Sequence, residues 1–303
     1  MPFGTQAAIL TPEQALELLP VQAWRGPFDS ALCQRATDAL ESGKVLVLPL
    51  PFVTEEAEQR FLDPASLGRR GKNISLDPRT GQLGNTSVPA ADQPGLAAMM
   101  QRFADSAFSL IMDLLPRYAS HLARARTSFR PAEIEGRSYS PRHDDRLLHV
   151  DAFPTRPLHG SRILRVFTNV APDGAQRKWH IGEPFAAYAS RFLPQVRRPL
   201  PGSAWALQVT GLTKGRRSPY DHIMLALHDA GKRDTAYQVN CPLIAADFPP
   251  GTTWLCFTDQ VLHAALAGHC ALEQTFHLPV EAMAHPERTP LRVLEELAGR
   301  SLT

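Results

Sequence analysis

Prolines and glycines divide this chain into short segments. The 303 residues include 27 prolines and 19 glycines, which are spread along the whole length and mark many turns. From about Thr127 onward, short apolar runs alternate with such turns; Thr252–Thr258, for example, follows Phe248-Pro249-Pro250-Gly251. Apolar runs of this length between turn residues are typical of β-strands. We therefore expect helices packed on a β core, an α+β fold, and not alternating βαβ units.

Helical patterns concentrate before this β-rich region. Asp29 or Ser30 can cap a helix over Ala31–Leu40, and Val45–Leu48 then reads as a buried strand. Apolar residues recur every three or four positions from about Leu96 to Leu115, which predicts a helix that ends before Pro116. Further along the chain, Pro219–Lys232 is also predicted to be helical.

Composition and motif content exclude several classes of protein. A formal net charge of +2 is too mild to predict nucleic-acid binding. No apolar run approaches the roughly 18 residues that span a bilayer, and the first 20 residues lack the pattern of a secretory signal. The four cysteines are scattered, and no GxGxxG, GxxxxGK[ST] or GxSxG motif occurs. We expect a cytoplasmic protein with reduced thiols.

One short segment carries residues suited to binding a metal. His149 and Asp151 follow Leu147-Leu148, and on a strand both side chains would lie on one face with Val150 on the other. An imidazole and a carboxylate supply two ligands of the 2-His-1-carboxylate triad of non-haem Fe(II) oxygenases. A second HxD, at His143, lies in a polar turn, where we interpret this histidine as a solvated loop residue or a substrate contact.

The third ligand should be a histidine on a later strand. His263 follows the apolar run Thr252–Thr258 and a short polar break, and we predict it as the ligand. His269, in a glycine turn, and His277, late in the next apolar run, are the alternatives.

An oxygenase of this type needs a basic anchor for the distal carboxylate of a cosubstrate such as 2-oxoglutarate. The segment Ser161–Val170 offers two arginines on opposite faces of a predicted strand. Arg165 lies between apolar residues, where a charge is costly unless it is paired, and is the first choice. Arg162 and Thr168 are further candidates.

Longer strings in the chain resemble one family, the Kdo 3-hydroxylases (Kdo is 3-deoxy-D-manno-oct-2-ulosonic acid). The resemblance spans most of the chain and includes the predicted metal ligands. The matching strings are Gly71–Pro78, Ser138–Pro154, Arg162–Asn169, Arg177–Trp179, Gly182–Phe185, Phe257–Ala264 and Leu272–Phe276.

The resemblance implies a fold and a reaction. The fold would be a double-stranded β-helix, the cupin-like jelly roll, in one domain with flanking helices. The enzyme would use Fe(II), 2-oxoglutarate and O2 to add a hydroxyl at C3 of the outer Kdo of a lipid A precursor in lipopolysaccharide biosynthesis. Its expected parts are a mostly helical support over residues 1–126, a core over 127–285 with an insertion at about 174–240, and a C-terminal helix over 286–303.

Arginines cluster around the predicted metal-binding segment. The chain has 27 arginines and 5 lysines, and residues 117–165 contain ten arginines, no lysine and five acidic residues. We interpret most of the overall excess as codon bias, whereas this local cluster suits an acidic, phosphorylated sugar substrate. The candidate substrate contacts are Arg130, Arg142, His143, Arg177 and Trp179.

A lipid-linked substrate also raises the question of membrane contact. We predict a short helix over Pro184–Leu193, with basic residues within it and just beyond it, that either touches the inner-membrane surface or packs on the core. Two alternative functions remain open: a dioxygenase acting on another small anionic substrate, and a non-catalytic jelly-roll module that binds an acidic sugar or lipid.

Overall fold

The computed structural model describes residues 10–69, 71–136 and 140–303. Arg137 of the arginine cluster, Ser138 and Tyr139 of the family strings, and residues 1–9 of the segment considered for a secretory signal lie outside the described residues. The helices are α1 Pro12–Ala15, α2 Ser30–Glu41, α3 Gln93–Leu114, α4 Phe185–Phe192, α5 Ser203–Val209, α6 Pro219–Arg233, α7 Thr235–Asn240 and α8 Pro290–Ala298. The strands are β1 Leu16–Leu18, β2 Val45–Leu48, β3 Ile74–Leu76, β4 Leu83–Gly84, β5 Ala123–Arg130, β6 Arg162–Asn169, β7 Arg177–Gly182, β8 Leu243–Phe248, β9 Thr253–Phe257, β10 His263–Ala267 and β11 Ala271–Leu278.

The predicted helices form for the reasons that their sequences indicate. The Asp29 carboxylate accepts a hydrogen bond from the Ala31 N–H at 2.7 Å and caps α2. Helix α3 buries one apolar face, which includes Phe103 and Leu110, and it ends before Pro116. The predictions for α2, α3, α4 and α6 are confirmed to within a few residues.

Eight strands form a large sheet in the order β1-β2-β9-β6-β11-β5-β3-β4, and three form a small sheet in the order β10-β7-β8. All neighbours pair antiparallel except β1 and β2. Strands β1 to β4 belong to the region predicted as mostly helical, and they occupy both edges of the large sheet. Of these four, the sequence indicated only β2, because the others have two or three residues and show no readable pattern.

The two sheets face each other across an aromatic interior. Phe167 on β6 and Trp254 on β9 pack against Trp179 on β7 and Phe248 on β8. Trp254 stacks on Phe248 with ring centroids 4.3 Å apart. This closed pair of sheets is the jelly roll that the family resemblance implied.

Helices cover the outer surfaces. Helices α2 and α3 pack on the outer face of the large sheet, against residues such as Leu164 and Phe276. Helices α4, α6 and α8 form a second apolar cluster, which also includes Val150 and Leu262. Strand β7 belongs to the small sheet, so the helical insertion begins after it, at Phe185. Among the described residues, no helix combines the length and the apolar character needed to cross a bilayer.

Candidate metal centre and active site

Three predicted metal ligands meet at one end of the jelly roll. His149 and His263 exchange two backbone hydrogen bonds, which form an isolated β-bridge, and the Asp151 N–H donates to the Thr258 carbonyl at 2.8 Å. The segment at His149 is extended but is not the regular strand that the sequence predicted. The alternation holds nevertheless: His149 and Asp151 face the interior, while Val150 packs in the outer apolar cluster.

The ligand atoms of His149, Asp151 and His263 all lie within 4.8 Å of one another. The Nδ1 of His149 lies 2.7 Å from the Leu147 carbonyl, and that of His263 lies 2.9 Å from the Val261 carbonyl. A carbonyl can only accept, so each Nδ1 carries the proton and each Nε2 keeps its lone pair. Burial lowers the pKa of both imidazoles and favours this neutral form.

A cavity of about 260 Å³ opens beside these ligands. Its wall contains both aromatic and charged side chains. The aromatic residues are Phe167 and Trp179, and the charged residues are Lys72, Arg130, Asp145, Arg165, Arg177 and Glu273. Such a concave site with a few convergent charges is suited to a small anionic ligand.

Arg165 holds the carboxylate of the metal set. Its guanidinium lies 3.0 Å from Asp151 Oδ2 and 3.0 Å from Glu273 Oε1. Burial alone would raise the pKa of the Asp151 carboxyl, but the neighbouring Arg165 holds this pKa below its usual range. With Oδ2 held by Arg165, Asp151 Oδ1 lies 3.8 Å from the Nε2 of His149. One carboxylate oxygen thus contacts the arginine, and the other faces the histidines that would share the metal.

Arg177 differs from the other two arginines of the cavity. Arg130 contacts Glu273 at 3.2 Å and Asp145 at 3.5 Å, whereas Arg177 forms no ion pair with any carboxylate of the described residues. The Arg177 guanidinium donates to the Gly268 carbonyl at 2.6 Å, and burial lowers its pKa to about 9.

Trp179 lies two residues from Arg177 on the same strand, so both side chains face the cavity. Its buried indole N–H has no hydrogen-bond partner in the described structure. A buried guanidinium that contacts no described carboxylate and a buried donor without an acceptor, both on the cavity wall, are complementary to a carboxylate.

The sequence profile of the 3-deoxy-D-manno-oct-2-ulosonic acid (Kdo) hydroxylases matches residues 24–301. The chain belongs to the Kdo hydroxylase family. No protein with a curated description matches the chain.

Solved structures of a Kdo hydroxylase, KdoO, described as a non-haem Fe(II) α-ketoglutarate-dependent dioxygenase, superpose on this family member. The complex of KdoO with α-ketoglutarate and Fe(III) is 47% identical, has a TM-score of 0.92 and covers 96% of this chain and 98% of its own. The cobalt(II) complex is 47% identical, has a TM-score of 0.93 and covers 95% and 97%. The complex with succinate and Fe(III) is 47% identical, with a TM-score of 0.91 and the same coverage.

The residues of this Kdo hydroxylase fit a non-haem iron. Two neutral imidazoles and one carboxylate, each oriented by a further hydrogen bond or ion pair, form the donor set of Fe(II) oxygenases. Asp151 Oδ2 is held by the Arg165 guanidinium, and Oδ1, which lies 3.8 Å from the Nε2 of His149, is left for the metal.

Two residues predicted as cosubstrate contacts lie outside the cavity. Arg162 is on the opposite face of β6, where its guanidinium binds Asp259 at 2.7 Å and Gln260 at 2.7 Å and lies over the Phe257 ring. Thr168, also on that face, donates to the Thr252 carbonyl. Both predictions placed the residues on the correct strand, but alternation directs their side chains away from the ligand space.

Two predicted substrate contacts lie near the cavity without lining it. Arg142 is exposed and pairs with Asp229 of α6, and His143 is exposed with its ring against Ser140. The Lys72 ammonium, which does line the cavity, donates to the His143 carbonyl.

The alternatives for the third ligand lie elsewhere. The His269 ring is close to Glu133 and Asp173, and His277 lies against the Arg162 carbonyl. Among the described residues, only His149, Asp151 and His263 form a group that could hold a metal.

The sequence interpretation missed four polar residues of the cavity wall: Lys72, Asn73, Asp145 and Glu273. Glu273 had a readable signal, because a buried carboxylate within the apolar run Ala271–Leu278 requires a cationic partner on an adjacent strand. That partner is Arg165, and β5 contributes a second one in Arg130. Lys72 and Asp145 lie in loops, and their pairing at 2.8 Å depends on the fold alone.

Proposed function

We propose that this chain hydroxylates a Kdo sugar in a reaction that consumes O2 and 2-oxoglutarate and requires Fe(II). The observation that carries the proposal is the match of a Kdo hydroxylase profile to residues 24–301 of a chain in which His149, Asp151 and His263 converge. The acceptor is the outer Kdo of a lipid A precursor, and the carbon hydroxylated is C3.

His149, Asp151 and His263 would hold the iron. When bound, iron with O2 and 2-oxoglutarate supplies the oxidation: one oxygen atom enters the sugar as a hydroxyl and the other enters succinate, with release of CO2. Arg165 orients Asp151 by holding Oδ2, so the carboxylate offers one oxygen to the metal. Phe167 and Trp179 keep water away from part of the cavity wall.

The cosubstrate lies in the arginine-lined cavity. The sequence predicts Arg165 as the anchor of 2-oxoglutarate. In the structure, however, the carboxylates of Asp151 and Glu273 already neutralise the charge of Arg165. Arg177 and the Trp179 indole N–H have no such partners, and we therefore place a carboxylate of 2-oxoglutarate against these two groups. The substrate then approaches along Arg142, His143 and Arg130, the contacts expected from the sequence, whose N–H groups can donate to the sugar carboxylate.

A lipid-linked acceptor implies that the reaction takes place at a membrane surface. We place it at the cytoplasmic face of the inner membrane. The four cysteines of the chain are free, which agrees with a reducing compartment.

Mass spectrometry of the acceptor tests the function directly. A lipid A precursor that carries two Kdo sugars is incubated with the protein, Fe(II), ascorbate and 2-oxoglutarate. We expect the outer Kdo to gain one oxygen atom and succinate to form in equal amount. The His263→Ala variant should give neither product, and a folded wild-type protein that leaves the acceptor unchanged would contradict the proposal.

A further inference from the structure

Large apolar side chains are exposed on one loop of the helical insertion. Of the eight such side chains found among the described residues, four lie within 13 positions. They are Leu200, Trp205, Val209 and Leu212, with 79%, 61%, 64% and 62% of their surface exposed. We call residues 196–217, which contain these side chains, the α5 loop. Single exposed apolar residues are ordinary, but a group of four on one loop marks a binding surface.

The apolar residues of the α5 loop share a geometry. Trp205 and Val209 are four residues apart on α5 and so lie on the same side of this helix. Leu200 lies just before the helix and Leu212 just after it, so the loop presents a tip of apolar side chains. Thr213, by contrast, is buried, which shows that the loop is packed at its base.

Backbone contacts attach this base near the metal centre. The Lys214 N–H donates to the Thr155 carbonyl at 2.9 Å, and the Arg217 guanidinium donates to the Pro154 carbonyl at 2.6 Å. Both acceptors lie within four residues of Asp151, so the loop is tied to the segment that carries a metal ligand.

Positive charge surrounds the apolar tip. The segment from Pro184 to Tyr220 contains six basic residues and no Asp or Glu. Four of the basic residues are exposed and form no ion pair with a described carboxylate: Arg197, Arg198, Lys214 and Arg216. Trp and Leu side chains bordered by Arg and Lys suit the interface of an anionic bilayer, where apolar groups enter the acyl boundary and cations meet headgroups.

We propose that the α5 loop docks the protein on an anionic lipid surface, with Leu200, Trp205, Val209 and Leu212 inserted and the flanking arginines and lysine on the headgroups. This inference deepens the proposed function and rests on its lipid-linked acceptor. The sequence left two alternatives for the helix over Pro184–Leu193, contact with the membrane or packing on the core, and the contact proposed here lies on a different element. In α4, Phe185, Tyr188 and Phe192 are buried against α6 and α8 and are not available to lipid.

Vesicle flotation with a matched pair of variants tests the docking surface. The full chain is mixed with vesicles of phosphatidylethanolamine and phosphatidylglycerol, or with phosphatidylcholine vesicles that carry no net charge. We expect the wild type to float with the anionic vesicles, less so in high salt, and to stay unbound with the neutral ones. Val209→Glu should weaken partitioning into the anionic vesicles about tenfold or more, because it replaces an inserted apolar side chain by a negative charge, which the anionic surface repels.

The control is Val53→Glu, which makes the same change at a residue that is 71% exposed in another part of the chain. It should bind vesicles like the wild type, and thermal melting should be the same for all three proteins. Absence of wild-type flotation with anionic vesicles overturns the proposal, and so does equal binding by both variants. A wild-type dimer that Val209→Glu dissociates, without flotation, would assign the loop to self-association and equally overturn it.

Activity on two acceptors separates this inference from the proposed function. Val209→Glu should hydroxylate a deacylated, water-soluble Kdo acceptor at the wild-type rate and lose activity only on the acceptor embedded in vesicles. If the wild type hydroxylates neither acceptor, the proposed reaction fails, while flotation still decides the docking surface. If Val209→Glu loses activity equally on both acceptors, the loop acts on catalysis and the docking proposal is wrong.

Discussion

Arg165 and Arg177 line the same cavity but differ in their electrostatic surroundings. Arg165 lies between the carboxylates of Asp151 and Glu273, which together neutralise it. Arg177 has a backbone carbonyl as its acceptor and lies next to the unpartnered indole N–H of Trp179. A buried guanidinium of this kind gains more from an incoming carboxylate than one that is already paired.

Replacing Arg177 should therefore affect the cosubstrate more than the fold. We expect Arg177→Met to raise the KM for 2-oxoglutarate about ten- to a hundredfold, since a hydrogen bond between charged groups contributes about 1.5–3 kcal/mol. Steady-state succinate release measures this change. Arg126→Met, which alters an exposed arginine of β5 paired with Asp77, serves as the control and should leave the KM unchanged. Equal effects of both changes would contradict the assignment.

A second prediction at the residue scale concerns the third metal ligand. His263→Ala should abolish Co(II) binding, measured by calorimetry, because it leaves one imidazole and one carboxylate for the ion. His269→Ala removes a histidine that lies outside the cavity, near Glu133 and Asp173, and should keep wild-type metal affinity. Retention of tight Co(II) binding by His263→Ala would show that another ligand completes the site.

At the scale of the element, strand β6 carries two arginines with different roles on its two opposite faces. Arg165 points into the cavity, whereas Arg162 is fully buried on the other face and binds Asp259 in the turn between β9 and β10. The same Asp259 carboxylate accepts from the Ile163 N–H at 3.1 Å. The pair therefore fixes the turn that leads into His263, and we interpret Arg162 as a structural residue.

Breaking this buried pair should destabilise the protein. We expect Arg162→Met to lower the free energy of unfolding by about 3–5 kcal/mol, because it leaves the Asp259 charge buried without its partner. The double variant Arg162→Met/Asp259→Asn removes both charges and retains an acceptor for Ile163, so it should recover part of the loss. Urea titration measures both effects, and equal losses in the single and double variants would argue against a charge effect.

At the scale of the whole molecule, the N-terminal region and the jelly roll share one sheet. Strand β2 pairs with β9, and β3 pairs with β5, so N-terminal strands lie at both edges of the large sheet. Glu41 at the end of α2 accepts from the Tyr118 hydroxyl at 2.7 Å and from the N–H groups of Ala284 and His285. The first and last parts of the chain are thus joined through the same core.

This arrangement predicts one cooperative unfolding transition, as expected for a single domain. Leu294 of α8 is completely buried in the cluster formed with α4 and α6, and Leu294→Ala should destabilise the protein by about 2–5 kcal/mol. Differential scanning calorimetry should show a single peak that shifts to a lower temperature in the variant. Two resolved peaks, with only one of them shifted, would divide the chain into separate domains.

Periodicity and apolar runs in the sequence indicated the helices α2, α3, α4 and α6, the strands β2, β6, β9 and β11, and the opposite faces of β6, because burial imposes a regular pattern on those elements. It did not indicate β1, β3 and β4, whose few residues are strands only because a longer neighbour offers hydrogen bonds. The cavity was predicted in part. His149, Asp151, His263 and Arg165 had local signals, whereas the partners Asp145 and Lys72 come together only through tertiary folding.

The ring of Trp179 lies almost parallel to that of His263, with an interplanar angle of 23° and centroids 5.2 Å apart. An indole so close to the ligand set is positioned to transfer its excitation to a bound transition-metal ion. Titration with Co(II) should therefore quench part of the tryptophan emission, and Trp179→Phe should remove that part while metal binding persists. The intrinsic tryptophan fluorescence of the protein would then measure the occupancy of its metal centre, without any added dye.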